Sequence, residues 1–489
     1  MTDYYRKKAF TDEFITTFDD VLILPGYTNF KPSEVDTSTT LGKYFFNIPI
    51  ISAAMDTVTE QEMAIKMALL GGLGVLHRNC SYEKQLKMVR AVKRARSFVI
   101  DDVATIGPNE PIFKAKYMME NYGISGLVVI GDNNKVCGIF TKRDLPYLEE
   151  ELKEKQVKDF MTQDVISIKP NASRNDALRV LFEHRKEKLP IIDDDGTLKG
   201  LITKKDLKPE FPLASKDEEG RLLCALALSP KFPKSPQAQS MLKEIDKYTD
   251  IFFIDVAEYY KIDDIQGTKK LMDFLEADFV VGNIGTYEAA EHILTECDFS
   301  DEKLIGIKVG MGSGSICTTS IQTGVGAPTM FATAQVADAI KDYNPKVKLI
   351  ADGGFKNPGD LPKAFSVGAD MIMTGHFFAG CTESPGYVDT IQGRKVKIYR
   401  GMGSKEARAA NFILDRYSLE SKSLPEGVSD YVPFVGDLSG VILALNEGLK
   451  NGMIYVGAKN LSSLKKAKIG MVSAVGQSEQ KPHDLLGKF

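Results

Sequence analysis

The chain lacks the marks of several protein classes, and each absence removes one. Positive charge is not in excess: 62 Lys and Arg stand against 66 Asp and Glu, a formal net charge of -4. Without that excess there is no electrostatic footprint for nucleic acid. No run approaches the roughly 18 consecutive apolar residues of a membrane span. The polar opening 1–13 has no apolar core of a signal peptide. A cytoplasmic protein is expected, with neither membrane nor nucleic acid as partner. Six cysteines, at 80, 137, 224, 297, 317 and 381, include no CxxC pair. A disulfide framework or structural zinc site is therefore not expected, and at most one or two thiols are left for chemistry.

What the chain does have is length and repetition. At 489 residues and 43% apolar it exceeds one simple core, so two globular units are expected. Short apolar runs recur, each followed by Gly, Ser or Asp and then a helical stretch: IPIIS (48–52), LGVLH (73–77), LCALAL (223–228), FFIDV (252–256), FVVGN (279–283), IGIKV (305–309), LIADG (349–353) and MIMTG (371–375). Strands buried on both faces read as continuous apolar runs. Eight of them alternating with helices predict an α/β fold, a closed (β/α)8 TIM barrel, with an open doubly wound sheet as the alternative.

The spacing breaks only between the second and third runs. In that gap GIFTKRDL (138–145) is echoed by GLITKKDL (200–207), an offset of 62 residues (200 − 138), each copy following an apolar strand. The expected map is barrel over 1–97, an inserted tandem module over 98–208, and barrel again over 209–489, with a polar segment at about 385–440 acting as an active-site flap.

The densest chemical signal is VGMGSGSICTT (309–319), directly after a strand and hence on the catalytic face of a barrel. Gly310, Gly312 and Gly314 let backbone groups turn toward a ligand. Ser315 offers a hydroxyl, and Cys317 sits where amide dipoles favour a thiolate nucleophile. Asp352-Gly353-Gly354 and Thr374-Gly375 end the last two strands, the usual place of a barrel's phosphate site. Asp352 beside a phosphate would be repelled, so sugar hydroxyls are its expected partners.

These segments together carry a resemblance. From FDDVLILPG (18–26) through SAAMDTVTE (52–60), GSGSICTT (312–319), ADGG (351–354), YRGMGS (399–404) and EGV (426–428), the chain resembles the inosine-5'-monophosphate dehydrogenase and guanosine-5'-monophosphate reductase family. The insert resembles a pair of cystathionine-β-synthase-type (CBS) repeats, with Thr141/Asp144 and Thr203/Asp206 at the positions that often bind adenine or guanine nucleotides. A vestigial module that binds nothing is the alternative. The family resemblance implies that Cys317 attacks C2 of IMP, that hydride passes to NAD, and that water cleaves the resulting thioimidate. Thr319 matches the threonine that helps activate the water. Arg416 with Tyr417 matches a dyad whose arginine is the general base; an arginine normally stays protonated, so that role comes from the resemblance alone. Ser52, Ser315, Asp352, Gly353, Gly354, Gly375 and Tyr399 match contacts to the nucleotide's phosphate and ribose. Met402, Gly403 and Glu426 match those to its base. Asp255, Asn283, Gly310 and Gly312 are the implied cofactor contacts. A homotetramer is the implied assembly. The family needs no GxGxxG, and the chain has none.

Three departures stand out. Val256-Ala257 after Asp255 and TGVG (323–326) look like the reductases, while HRNCS (77–81), GMGS, Arg416-Tyr417 and EGV look like the dehydrogenases. His376 replaces a serine common at the phosphate. Potassium would lie at the carbonyls of Gly312, Gly314 and Cys317, but the Glu-Gly-Gly stretch that completes its site reads Glu479-Gln480-Lys481 here. Lys481 either replaces the ion or is a solvated lysine on a frayed tail. The expected activity is IMP dehydrogenase. An NADPH-dependent GMP reductase and a silent nucleotide sensor are the alternatives.

Overall fold

The computed structural model describes residues 15–95, 103–121, 124–131, 134–146, 155–170, 172, 174–204, 211–300, 302–410, 412 and 424–480. Two compact units divide the chain, Met1–Lys93 with Leu213–Phe489, and Arg94–Pro212.

In the first unit eight parallel strands close a barrel: β1 (Ile50–Ser52), β2 (Leu73–Leu76), β3 (Ala225–Leu228), β4 (Ile251–Asp255), β5 (Asp278–Ile284), β6 (Leu304–Val309), β7 (Lys348–Asp352) and β8 (Met371–Thr374). They are the eight apolar runs of the sequence. Pairing of β8 with β1, Ile372 opposite Ile50 and Thr374 opposite Ser52, completes the ring and rules out an open sheet. Ile51, Val75, Ala225, Phe253, Val280, Ile350 and Met371 fill the interior. Ile50 and Ile372 face the other way, into a cluster under the outer helices. Alternate residues thus serve two apolar layers, which is why the runs are continuous. A hairpin that the sequence reading did not anticipate, Thr39–Leu41 against Tyr44–Phe46, adds Leu41, Tyr44 and Phe46 to that interior. The Tyr44 hydroxyl donates to the Asp250 carbonyl just before β4, so this plug sits at the N-terminal mouth of the barrel.

The second unit carries the repeat in its hydrogen bonds. Strands Gly126–Ile130 and Val136–Thr141 pair with Gly126 opposite Thr141. Strands Lys188–Ile192 and Leu198–Thr203 pair with Lys188 opposite Thr203, the same register 62 residues on (188 − 126, 203 − 141). The Lys142 N–H donates to the Ser125 carbonyl at 3.1 Å and, at the equivalent place, the Lys204 N–H to Glu187 at 2.8 Å.

The barrel closes over the insertion point by itself. Lys93, the last residue before the insert, is buried with its ammonium 2.8 Å from Asp217 and 2.6 Å from Asp250. The outgoing and returning chain are thus held together within the host unit. Replacing 96–210 by a short linker is expected to leave a folded barrel, because an insert whose ends lie close together leaves the host core intact. Circular dichroism and turnover of the deletion variant check this, and an unfolded product would mean that the insert completes the barrel core.

Within 385–440, read from sequence as one flap, the described residues include regular structure. Strands Asp389–Ile391, Arg394–Arg400 and Ser429–Pro433 form a three-stranded antiparallel sheet. Lys397 buries its ammonium against the Cys381 and Ser384 carbonyls. Arg400 grips Asp56 through two bonds of 3.0 and 2.8 Å. Among the described residues no helix is long and apolar enough to cross a membrane.

Candidate active site

The C-terminal ends of β4 to β8 converge on one pocket, lined by Ala53, Ala54, Met55, Asp255, Asn283, residues 310–314, Cys317, Thr319, Asp352, Gly353 and Met373. Its rim begins where β6 ends. Gly310 has φ +118°, and a Cβ there would lie 2.6 Å from the Asp352 carbonyl and 2.7 Å from Thr329 Oγ1, so glycine is required. The loop that follows is pinned: Met311 and Ala327 exchange backbone bonds of 2.8 and 3.0 Å, and the Cys317 N–H donates to Gly314 O at 3.0 Å. The half-buried Cys317 thiol donates to Thr319 Oγ1 at 3.3 Å. Four other cysteines are buried, and burial pushes their thiols up, Cys80 and Cys381 to about 12 and Cys297 to about 11, with Cys224 raised as well. Thiols held that high are inert at neutral pH, which singles out Cys317 within the barrel unit.

Under the loop lies a polar cluster. Asp255 ends β4, Asn283 lies in β5 and Asp352 ends β7, all three on the pocket. Between them stands Lys308 of β6, buried, with its ammonium 3.1 Å from Asp255 Oδ1 and 2.5 Å from Asp352 Oδ2, and bonded to Asn283 Oδ1. Asn283 Nδ2 donates to the Gly310 carbonyl at 2.7 Å and to Asp352 Oδ2 at 3.1 Å.

Across the pocket, Gly353 and Gly354 both have positive φ. A Cβ on Gly375 would lie 2.9 Å from the Tyr399 hydroxyl and 2.8 Å from the Met55 sulfur, so the tyrosine packs directly on that turn. Ser315 is exposed beside the Tyr399 hydroxyl. His376 follows, its ring 6.2 Å from that of Tyr399, and burial pushes its imidazole below the usual histidine range. Met402 packs against Met55. Glu426 and Gly403 meet through the Glu426 N–H, and Glu426 O accepts from the Thr318 N–H, each at 3.1 Å, so this stretch closes directly onto the cysteine loop. Ser52 is fully buried and its hydroxyl accepts from Thr59 at 2.9 Å; it lies behind the lining made by Ala53–Met55. Arg416, Tyr417, Asp206 and Lys481 fall outside the described residues.

Known proteins match the chain over nearly its whole length. The IMP dehydrogenase / GMP reductase domain model matches residues 15–483. The chain belongs to this family. It is 45% identical to the inosine-5'-monophosphate dehydrogenase of Korarchaeum cryptofilum, over 97% of each chain. The enzyme of the same name from Methanocaldococcus jannaschii is 42% identical, over 99% of this chain and 97% of its own. Among solved structures, a cysteine-to-alanine variant of the GMP reductase of Trypanosoma brucei, in complex with guanosine 5'-monophosphate, superposes with a TM-score of 0.86 at 32% identity, over 98% of this chain and 99% of that one.

Within the family frame, sequence reasoning missed Lys308, Met55 and the brace of Asp56. That brace joins the loop after β1 to the sheet beyond the barrel: Asp56 takes Arg400, and Asn79 donates both to Asp56 and to the Ala407 carbonyl. His77 orients the same loop by accepting the Asn79 N–H at Nδ1 while its Nε2 lies 3.2 Å from Glu60. Hydrogen bonds from His77 and from Lys84 hold the Glu60 carboxyl down at about 2. A charged residue inside an apolar run, as in IGIKV, was the available signal for Lys308.

The insert has a cleft of its own, lined by Thr141, Lys142, Arg143, Asp144, Arg185, Lys186 and Lys188 among others. Thr141 and Asp144 bond each other there, Asp144 Oδ2 accepting the Thr141 N–H and hydroxyl at 2.7 and 2.8 Å.

Proposed function

We propose that the chain oxidises IMP to XMP with NAD through a covalent intermediate on Cys317, as an IMP dehydrogenase of guanine nucleotide synthesis acting in the cytoplasm. The observation that carries the reading is the Cys317–Thr319 pair on the mouth of a pocket whose other wall is Asp352 and the positive-φ Gly353. The thiolate adds to C2 of the purine, and the C2 hydrogen leaves as hydride. NAD, when bound, accepts that hydride. Water then adds to C2 of the thioimidate, the sulfur leaves, and Cys317 is regenerated as XMP forms. Thr319, hydrogen-bonded to the sulfur, is assigned to hold the water, and Arg416 with Tyr417 to take its proton.

Nucleotide binding divides by chemistry. Asp352 is assigned to the ribose hydroxyls; Ser315, Gly354, Gly375 and Tyr399 to the phosphate; Met402, Gly403 and Glu426 to the base. Asp255, Asn283, Gly310 and Gly312 supply the carboxylate, amide and backbone groups that suit a nicotinamide riboside edge. Potassium, where bound, is expected at the Gly312, Gly314 and Cys317 carbonyls, with Lys481 as the alternative cation. A CBS pair that takes a nucleotide polyanion suits the basic cleft of the insert, and a homotetramer is the expected assembly. A reductase reading draws on the fold match to the GMP reductase structure and on Val256-Ala257 after Asp255. Identities of 42–45% to relatives named IMP dehydrogenase, against 32% for that structure, favour oxidation. Mass spectrometry of enzyme quenched during turnover of IMP with NAD tests the proposal: the Cys317 peptide should carry a purine nucleotide adduct, and an unmodified peptide would remove the covalent route.

His376 gives the phosphate site a pH dependence. Its folded value lies below the ordinary one, so it is neutral at pH 7 in the free protein, and a phosphate dianion beside it pulls that value back up. Binding therefore takes up protons and tightens as pH falls. The ratio of wild-type to His376→Ser affinity for IMP is expected to rise by up to about tenfold between about pH 8 and about pH 6. Taking the ratio cancels the titration of the phosphate itself. A flat ratio would place His376 away from the phosphate.

A further inference from the structure

Lys308 touches three of the residues assigned to ligands and is itself in none of the motifs. Its side chain is 1% exposed, inside a barrel otherwise filled with aliphatic and aromatic groups. It stands in register with inward-facing Ile350 on β7 and with Gly282 on β5. A Cβ on Gly282 would lie 2.8 Å from the Lys308 Cβ, so the neighbouring strand is cut back where the lysine enters. Burying an ammonium in an apolar layer is costly unless it is paired and hydrogen-bonded, and an aliphatic residue would fill the space without that cost. Something in the site needs the charge.

The hydrogen bonds indicate what. An ammonium only donates, so Asn283 must turn its Oδ1 toward Lys308; its Nδ2 is thereby aimed at the Gly310 carbonyl and at Asp352. Asp352 Oδ2 receives both Lys308 and Asn283, while its Oδ1 takes no hydrogen bond among the described residues. One carboxylate oxygen is locked and the other remains for a ligand. Asp255 and Asp352 are also kept compatible: their contacting oxygens, 3.1 and 2.5 Å from one Nζ, are at most 5.6 Å apart. The ammonium between them offsets the repulsion of two carboxylates that close together.

We propose that Lys308 is a positioning residue that sets nucleotide affinity by holding the Asp352 carboxylate aimed at the ribose hydroxyls. This rests on the reading of the pocket as a nucleoside monophosphate site, and a double-mutant cycle on IMP binding to the full-length chain separates the two. Wild type that does not bind IMP overturns the site reading itself. If wild type binds, Lys308→Met is expected to weaken IMP by about tenfold or more, the loss of a charge-assisted hydrogen bond. Asp352→Asn should weaken it too, and the double variant should be no weaker than the poorer single one, because the lysine acts through the carboxylate. The KM for IMP should rise by the same factor as the binding constant. Lys308→Arg, which keeps the charge and donors, should bind better than Lys308→Met. Effects that multiply in the double variant, or a folded Lys308→Met with wild-type affinity, would overturn the assignment. Should Lys308→Met fail to fold, Lys308→Gln enters the same cycle with the same criteria.

Discussion

Cys317→Ala is expected to abolish NADH formation while IMP still binds. Most of the residues assigned to the nucleotide sit on other elements: Asp352 at the end of β7, Gly375 just after β8, Tyr399 on the strand Arg394–Arg400. None of them is held by the thiol, whose hydrogen bond goes to Thr319. Removing the sulfur therefore removes the nucleophile and leaves the cradle. The neighbouring cysteines cannot substitute, because burial keeps them protonated at neutral pH. Calorimetry with IMP beside a turnover assay reads both halves of the expectation, and retained turnover would exclude the covalent route.

The second large effect belongs to Arg416. If it draws the proton from water in the hydrolytic step, Arg416→Ala should leave hydride transfer nearly intact and slow hydrolysis by about 10²- to 10⁴-fold, the usual cost of losing a general base. A burst of NADH equal to the enzyme concentration should then precede slow turnover. Equal slowing of both steps would contradict the role, and the reductase reading would gain, since a reductase releases ammonia and does not hydrolyse the adduct. The described stretch that follows that segment reaches the cysteine loop: the Thr318 N–H donates to Glu426 O, and the Val428 N–H to Ile316 O.

The eight barrel strands were legible because each serves two apolar layers and so reads as an unbroken run; IFFID and MIMT need no partner sequence to be recognised. The insertion was legible from its 62-residue echo, which survives as matched register in two hairpins. The sheet built from Asp389–Ile391, Arg394–Arg400 and Ser429–Pro433 was not. Its strands carry charges on exposed positions, and a wide separation in sequence divides the last strand from its partner. The plug hairpin at 39–46 was too short to show a period.

At the site, residues marked by glycine and cysteine were readable, since a positive φ or a close approach demands a particular residue type. Lys308 was not, because its meaning lies in Asp255, Asn283 and Asp352, brought to it from three other strands. Asp56 is the same case: its worth comes from Arg400, far along the chain.

The most direct test of the account is to supply the protein with IMP and NAD in one cuvette, GMP and NADPH in another, and follow the nicotinamide absorbance. Growth of the reduced-nicotinamide signal with IMP and NAD, and no loss of it with GMP and NADPH, is the predicted result. Oxidation of NADPH by GMP, with IMP and NAD inert, would contradict it.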